Sequence, residues 1–339
     1  MTPDPEKPRR RPRYSGRNPR RFEEKYKEHH PERYASEVDK ISASGKTPAG
    51  THRPIMLEEI LQLLDPRPGH TALDCTLGYG GHARRLWEAV QPGGHLLAMD
   101  VDPIELPKTE ARLRTLPFPS GSLLIRRMNF AGCSKLLAEA GLGPANVILA
   151  DLGLSSMQID NPSRGFTFKR EGPLDLRMNP QKGHPASALL ATIDVSTLEN
   201  LLQQNSDEPL AHILAPSLCA AAPRLLTTTS LASHVRLCPR ADEHTVRRVF
   251  QALRIAVNDE FSTLDSFLRQ LPHCLAPQGR AAILTFHSGE DRRVKQAFRS
   301  GLQEGRYSKI SEEVLRPSPE ELRANLRSSS AKLRWAQLA

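Results

Sequence analysis

Four short runs of uninterrupted apolar residues, at 71–75, 95–100, 123–125 and 146–151, alternate with segments of helical periodicity. A strand exposed on one face alternates apolar with polar residues. These runs do not alternate, so each reads as a strand buried on both faces. Strands and helices in this rhythm predict a parallel, doubly wound α/β sheet with helices on both sides. The rhythm stops after Asp151. Between 155 and 245 helical spacing dominates, at 186–193, 196–204, 208–222 and 229–236, which reads as a helical insertion. Helical runs at 244–257 and 259–272, a strand at 280–286, a helix at 290–300 and a last strand at 331–337 resume the first pattern. The expected organisation is an arm, 1–50, an α/β domain from 51–154 with 246–339, and an insertion, 155–245.

Charge separates the arm from the rest. The chain carries a formal net charge of +9, and residues 1–50 hold 13 Lys/Arg against 8 Asp/Glu. The arm has too few aliphatic residues to offset its ordering entropy. Residues 1–20 are therefore expected to be disordered, with short polar helices within 21–45. A basic arm suits a polyanion, through counterion release, and equally suits a solubilising tail. The five cysteines, Cys75, Cys133, Cys219, Cys238 and Cys274, are scattered with no CxxC pair. That spacing argues against a disulfide framework and a thiolate zinc site, and for a reducing, cytoplasmic setting. No stretch approaches the roughly 18 apolar residues of a membrane span, and no apolar signal segment follows the start.

The most informative local motif is DCTLGYGGH at 74–82. An acid ends the first strand and glycines open the next helix, where free N–H groups can meet a ligand. Asp100 ends the second strand, 22 residues after Gly78, the position suited to the two hydroxyls of a ribose. A nucleoside-containing cofactor follows. Asp74, four residues before the first glycine, would repel a pyrophosphate but suits the ammonium of a methionine moiety. S-adenosylmethionine is favoured over a nicotinamide dinucleotide, and helix capping by Asp74 and Asp100 is the plain structural alternative.

Further motifs follow in order: HRPIMLEE at 52–59, DVDP at 100–103, Asn129-Phe130, DLGLSSMQID at 151–160, RGFTF at 164–168, GPLDLRM at 172–178, FQALRIAVNDE at 250–260, FHSGEDRRVK at 286–295 and SAKLR at 330–334. With the glycine loop they closely resemble the RsmH (MraW) family of small-subunit ribosomal RNA methyltransferases, over about 52–335, with the arm outside the resemblance. The resemblance implies a class I methyltransferase domain interrupted by a helical, substrate-recognising domain. It implies transfer from S-adenosylmethionine to the N4 amine of one decoding-centre cytidine of 16S rRNA, conventionally numbered 1402. The implied partner is 16S rRNA in the small ribosomal subunit, with a homodimer left open and no membrane. It also implies that Gly80, Gly81 and His82 contact the cofactor beside Asp74 and Gly78. Asp100 would hold the ribose, Phe130 lie against the adenine, and Asp151 and Gln158 complete the pocket.

An exocyclic amine is a poor nucleophile, and an acceptor for its proton would assist it. Many amino-methyltransferases carry Asp/Asn-Pro-Pro-aromatic after the fourth strand; here DLGLSS stands at 151–156. Asp151 and Ser155 are the candidate acceptors, with His287 a candidate for positioning or proton transfer. Glu290 and Asp291 are equally read as an acidic first helical turn. Arg164, Arg177, Arg254, Lys295 and Lys332 are candidate phosphate binders, and Phe166 and Phe168 candidate base-stacking residues or core. No catalytic metal is expected. The sequence departs from the family pattern at 205–208, 245–249, Gly289 and 326–329, where Leu326 and its neighbours replace a proline and an arginine. Two other classes stay open: a nicotinamide oxidoreductase, and a non-catalytic RNA-binding assembly factor on the same scaffold.

Overall fold

The computed structural model describes residues 54–339, so the expectations for the arm lie outside the described residues. Seven strands form one sheet: β1 (Thr71–Asp74), β2 (His95–Asp100), β3 (Leu123–Arg127), β4 (Ala145–Asp151), β5 (Leu275–Thr285), β6 (Tyr307–Ile310) and β7 (Lys332–Leu338). Their order is β3-β2-β1-β4-β5-β7-β6. The first five are parallel, and β7 runs antiparallel between β5 and β6. This is the class I methyltransferase arrangement of a Rossmann-like fold. The order reverses between β1 and β4, and ligands in such sheets bind outside the carboxyl ends of the strands at that switch point.

Side chains alternate across the buried strands to fill two layers. Leu73, Met99, Ile148 and Ile283 face one way, toward α4 (Cys133–Ala140), α11 (Glu260–Cys274) and α12 (Ser288–Gln303). Ala72, Leu96, Val147 and Leu284 face the other, with Ile60 of α1 (Leu57–Leu64), Leu86 and Trp87 of α2 (Gly81–Val90) and Leu106 of α3 (Leu106–Leu113). Burial on both faces is the reason these strands read as continuous apolar runs.

A short helix, α5 (Ser156–Asp160), follows β4. Then come α6 (Ala186–Thr192), α7 (Val195–Ser206), α8 (Ala211–Ala221), α9 (Thr228–Arg236) and α10 (Glu243–Asn258). They share a separate apolar cluster that includes Leu190, Leu198, Leu202, Leu214, Leu231, Val246 and Leu253. The boundary expected at 245/246 thus falls inside α10, whose Val246, Val249, Phe250 and Leu253 pack with the helical cluster. Phe166 and Phe168 pack against that cluster too, Phe168 lying 5.1 Å from the Phe250 ring. They are core residues, the commoner reading of the two offered by sequence. The strand expected at 280–286 begins at Leu275, the one at 331–337 is antiparallel, and β6 and α13 (Pro319–Ala324) carried no expectation.

Candidate active site

Asp74, Asp100 and Asp151 end β1, β2 and β4, on both sides of the switch point. Asp74 is 1% exposed, and its Oδ1 accepts from the Thr76 N–H at 3.0 Å. The loop after it turns tightly: the Gly80 N–H donates to the Leu77 carbonyl at 2.7 Å, and Gly80 has φ +83°. A side chain there is excluded twice over. The backbone is left-handed, and a Cβ would lie 2.8 Å from Thr109 Cγ2. Helix α2 then opens at Gly81 with no side chain capping its first N–H groups, as the sequence led one to expect. The Gly78 N–H donates to Asp100 Oδ2 at 2.7 Å, which fixes the second acid against the glycine loop.

Asp151 is held by Thr76, whose Oγ1 accepts the Asp151 N–H at 2.6 Å. Its carboxylate faces His82, Oδ2 to Nδ1 at 3.6 Å. The other ring nitrogen, Nε2, lies 3.0 Å from the Ile55 carbonyl, which only accepts, so Nε2 carries the hydrogen. Nδ1 therefore presents a bare lone pair to Asp151. Burial depresses the His82 pKa to about 4, so the ring is neutral at physiological pH. Burial, then Asp74 and Glu290, push Asp151 up to about 8. Burial, with Asp100 nearby, pushes Asp74 up to about 7, and Asp100 is raised by burial too. Among the described residues no Lys or Arg pairs with any of these three acids. The site thus gathers three buried acids with no cation of its own among the described residues.

The loop after β4 is braced from within. The Ser155 hydroxyl caps α5 by accepting from the Gln158 N–H at 3.3 Å, and Gln158 Oε1 accepts from the Ser155 N–H at 2.9 Å. Gln158 Nε2 donates to Asp102 Oδ2 at 2.8 Å. Both ends of this amide are engaged by the protein, so Gln158 shapes the site through Asp102. Arg164 is a correction: expected as a phosphate binder, it is buried, with Nη1 on Asp102 Oδ2 at 2.7 Å and Nη2 on the Met178 carbonyl at 2.7 Å. Phe130 opens a single helical turn after β3, edge-on to Phe267 at 5.5 Å.

His287 caps α12, just beyond the carboxyl end of β5, its Nδ1 accepting from the Glu290 N–H at 3.4 Å. Glu290 folds back: Oε2 accepts from the Phe286 N–H at 2.9 Å, and Oε1 lies 3.3 Å from His287 Nε2. Burial pushes the Glu290 pKa up, but His287, Arg254 and the Phe286 N–H together bring it below the usual value. Glu260, His287 and Glu290 each offer one ligand atom within 4.8 Å of the others. Arg254 grips Glu260 at 2.8 and 2.9 Å and already supplies positive charge there. Arg254 is thus a second correction, and Arg177 and Lys332 face Asp175 and Asp291 instead of open solvent. A Cβ at Gly289 would meet Phe261 Cζ at 2.6 Å, so a larger residue there would require the Phe261 ring to shift. Thr76 and Asp102 lie inside quoted motifs, yet sequence gave them no role. Their hydrogen bonds reach across strands, which linear spacing does not show.

Residues 49–339 match the model of the MraW methylase family. The chain belongs to the MraW methylase family. It is 49% identical to ribosomal RNA small subunit methyltransferase H 2 of Alkaliphilus metalliredigens, over 98% of this chain and 98% of that protein. Methyltransferase H 1 of Lachnoclostridium phytofermentans is 47% identical over 96% of this chain and 92% of its own length. The methyltransferase H of Halorhodospira halophila is 43% identical over 74% and 78%. The family model begins at residue 49, so residues 1–48 lie outside it, as expected, while the 96% and 98% matches to the first two of these relatives extend into residues 1–50. As a MraW-family chain it is a methyltransferase whose cofactor is S-adenosylmethionine. The site fits that group: its sulfonium and ammonium are cations, and Asp74, Asp100 and Asp151 are buried acids with no Lys or Arg partner among the described residues.

Proposed function

We propose that this methyltransferase acts on the N4 amine of a single cytidine in the decoding centre of 16S rRNA, within the small ribosomal subunit. The names of the relatives support small-subunit ribosomal RNA as the substrate class. The observation that carries the amine is Asp151 at the switch point, facing an unprotonated His82 Nδ1 at 3.6 Å. S-adenosylmethionine, when bound, supplies an electrophilic methyl on a cationic sulfur. Asp74 and Asp100, at the ends of β1 and β2, would hold its cationic and ribose ends; Gly80, whose N–H is spent on the Leu77 carbonyl, would offer close backbone approach, and the N–H groups of Gly81 and His82 would line it. Phe130, beside β3, offers a face for the adenine. Asp151, ionised in the loaded site, would accept the proton that the cytosine amine loses as nitrogen takes the methyl and sulfur keeps the electron pair of the broken carbon–sulfur bond. Ser155, fixed as the cap of α5, keeps its O–H free to orient the base, and His287 stands at the neighbouring strand end. A paired cytidine would be extruded to reach this depth. The helical cluster, 155 to about 258, would recognise the RNA.

The test is methyl transfer from labelled cofactor to small subunits lacking the modification, with product nucleosides resolved by mass spectrometry. N4-methylcytidine at one decoding-centre position is expected. Cofactor binding without transfer would favour the non-catalytic assembly factor.

A further inference from the structure

The segment between α13 and β7 lies at the carboxyl edge of the sheet, and the chemistry above leaves it unused. Because β7 is antiparallel to β5, its first residue, Lys332, pairs with Thr285 at the carboxyl end of β5. The turn before it, Leu326–Ser330, therefore lies on the ligand side of the sheet. Both of its flanks reach site elements. Arg327 Nη2 donates to Asp160 Oδ1 at 2.6 Å, on the helix that Ser155 caps. Glu321 Oε1 accepts from the Met56 N–H at 2.9 Å, next to the Ile55 carbonyl that holds His82.

The turn is also rigid. Asn325 Oδ1 accepts from the Arg327 N–H at 3.2 Å, and the buried Ser328 donates both N–H and O–H to the Asn325 carbonyl at 3.0 and 2.7 Å. Out of this fixed turn Leu326 projects with 82% of its surface exposed. A single exposed leucine is ordinary on a protein surface. This one stands on a braced turn on the ligand side of the sheet. From Arg323 to Lys332 there are three basic residues and no acid. Arg323 is exposed, and its side chain donates only to the Pro319 carbonyl among the described residues.

We propose that Leu326 is an apolar wedge that enters the RNA stack beside the target cytidine, while Arg323 meets a flanking phosphate. The inference rests on the RNA substrate proposed above. An extruded base leaves a gap in its stack, and an inserted aliphatic side chain offsets the lost stacking. Arg327 and Lys332 are paired with Asp160 and Asp291, which leaves the exposed Arg323 as the cation beside this leucine that has no acidic partner among the described residues, and a cation next to an apolar side chain fits a nucleic-acid strand better than an apolar protein face.

The experiment compares wild type, Leu326→Ala, Leu326→Met and Arg323→Gln in the full chain. Its readouts are cofactor Kd, kcat and KM on unmodified small subunits, and binding to protein-free 16S rRNA across a salt series. Leu326→Ala is expected to lower kcat/KM about tenfold and to weaken binding to the free rRNA, with cofactor Kd unchanged and Leu326→Met restoring both. Arg323→Gln is expected to reduce the salt slope of RNA binding by about one. Wild-type turnover matched by Leu326→Ala would overturn the wedge while leaving the proposed function standing. A parallel loss of cofactor binding would make the turn merely structural and overturn it as well. A loss confined to intact subunits would assign Leu326 to a ribosomal protein contact instead. Absence of wild-type transfer would instead defeat the substrate reading itself.

Discussion

At the scale of single residues, the site is defined by acids in the wrong protonation state for an empty pocket. Asp151, raised to about 8 by burial, then by Asp74 and Glu290, is protonated at neutral pH until a cation arrives. Asn imitates that neutral acid in shape but cannot take a proton. Asp151→Asn is therefore expected to fold and to bind cofactor more weakly, while kcat on small subunits at saturating cofactor falls about 10²-fold or more. Single-turnover kinetics with cofactor Kd measured in parallel would check it, and full turnover would remove Asp151 from the proton path. The place of Asp151 at the end of β4 could be read from sequence. The His82 tautomer could not, because it depends on the carbonyl of Ile55, 27 residues away.

At the scale of elements, the loops at the switch point are held by one buried pair. Asp102 accepts from Arg164 and Gln158, and so joins the end of β2 to α5 and to the segment entering the helical cluster. Removing one partner of such a pair leaves a buried charge alone, which costs about 3–5 kcal/mol. Arg164→Ala is expected to lower stability by that order in urea titration and to loosen cofactor binding with it. A stability change below about 1 kcal/mol would place Arg164 on the surface, as its sequence context suggested. The parallel strands were legible because burial on both faces leaves unbroken apolar runs. The start of β5 was not, since Pro277, Gln278 and Gly279 read as a turn although the strand passes through them. β6 was hidden as well, a short edge strand, YSKI, with two exposed polar residues. The helices of the insertion were plain from their periodicity. Their common core was not, because α10 shows the same spacing whichever domain it packs against.

At the scale of the whole molecule, a doubly wound sheet gathers acids from separate strands at one edge, and a helical cluster interrupts the chain directly after β4. Strand ends at 74, 100 and 151 are far apart in sequence, yet the order β2-β1-β4 makes them neighbours. That convergence explains why the motifs are specific as a set and weak one by one. The arm extends the same logic outward. It carries a surplus of basic residues and is matched in two relatives.

The most direct test of an acid-lined site built for a cation is the proton balance of cofactor binding. Asp74 and Asp151, raised to about 7 and about 8, hold protons in the free site at pH 7, and a bound cation favours their ionised forms. Protons must then leave on binding, and affinity must rise as pH climbs through about 7 to about 8. Calorimetric titration of S-adenosylmethionine at pH 7, in two buffers of different ionisation enthalpy, reads this directly. Net release of between about one and two protons is the expected result. Proton uptake, or an affinity flat from pH 6 to 8, would contradict it.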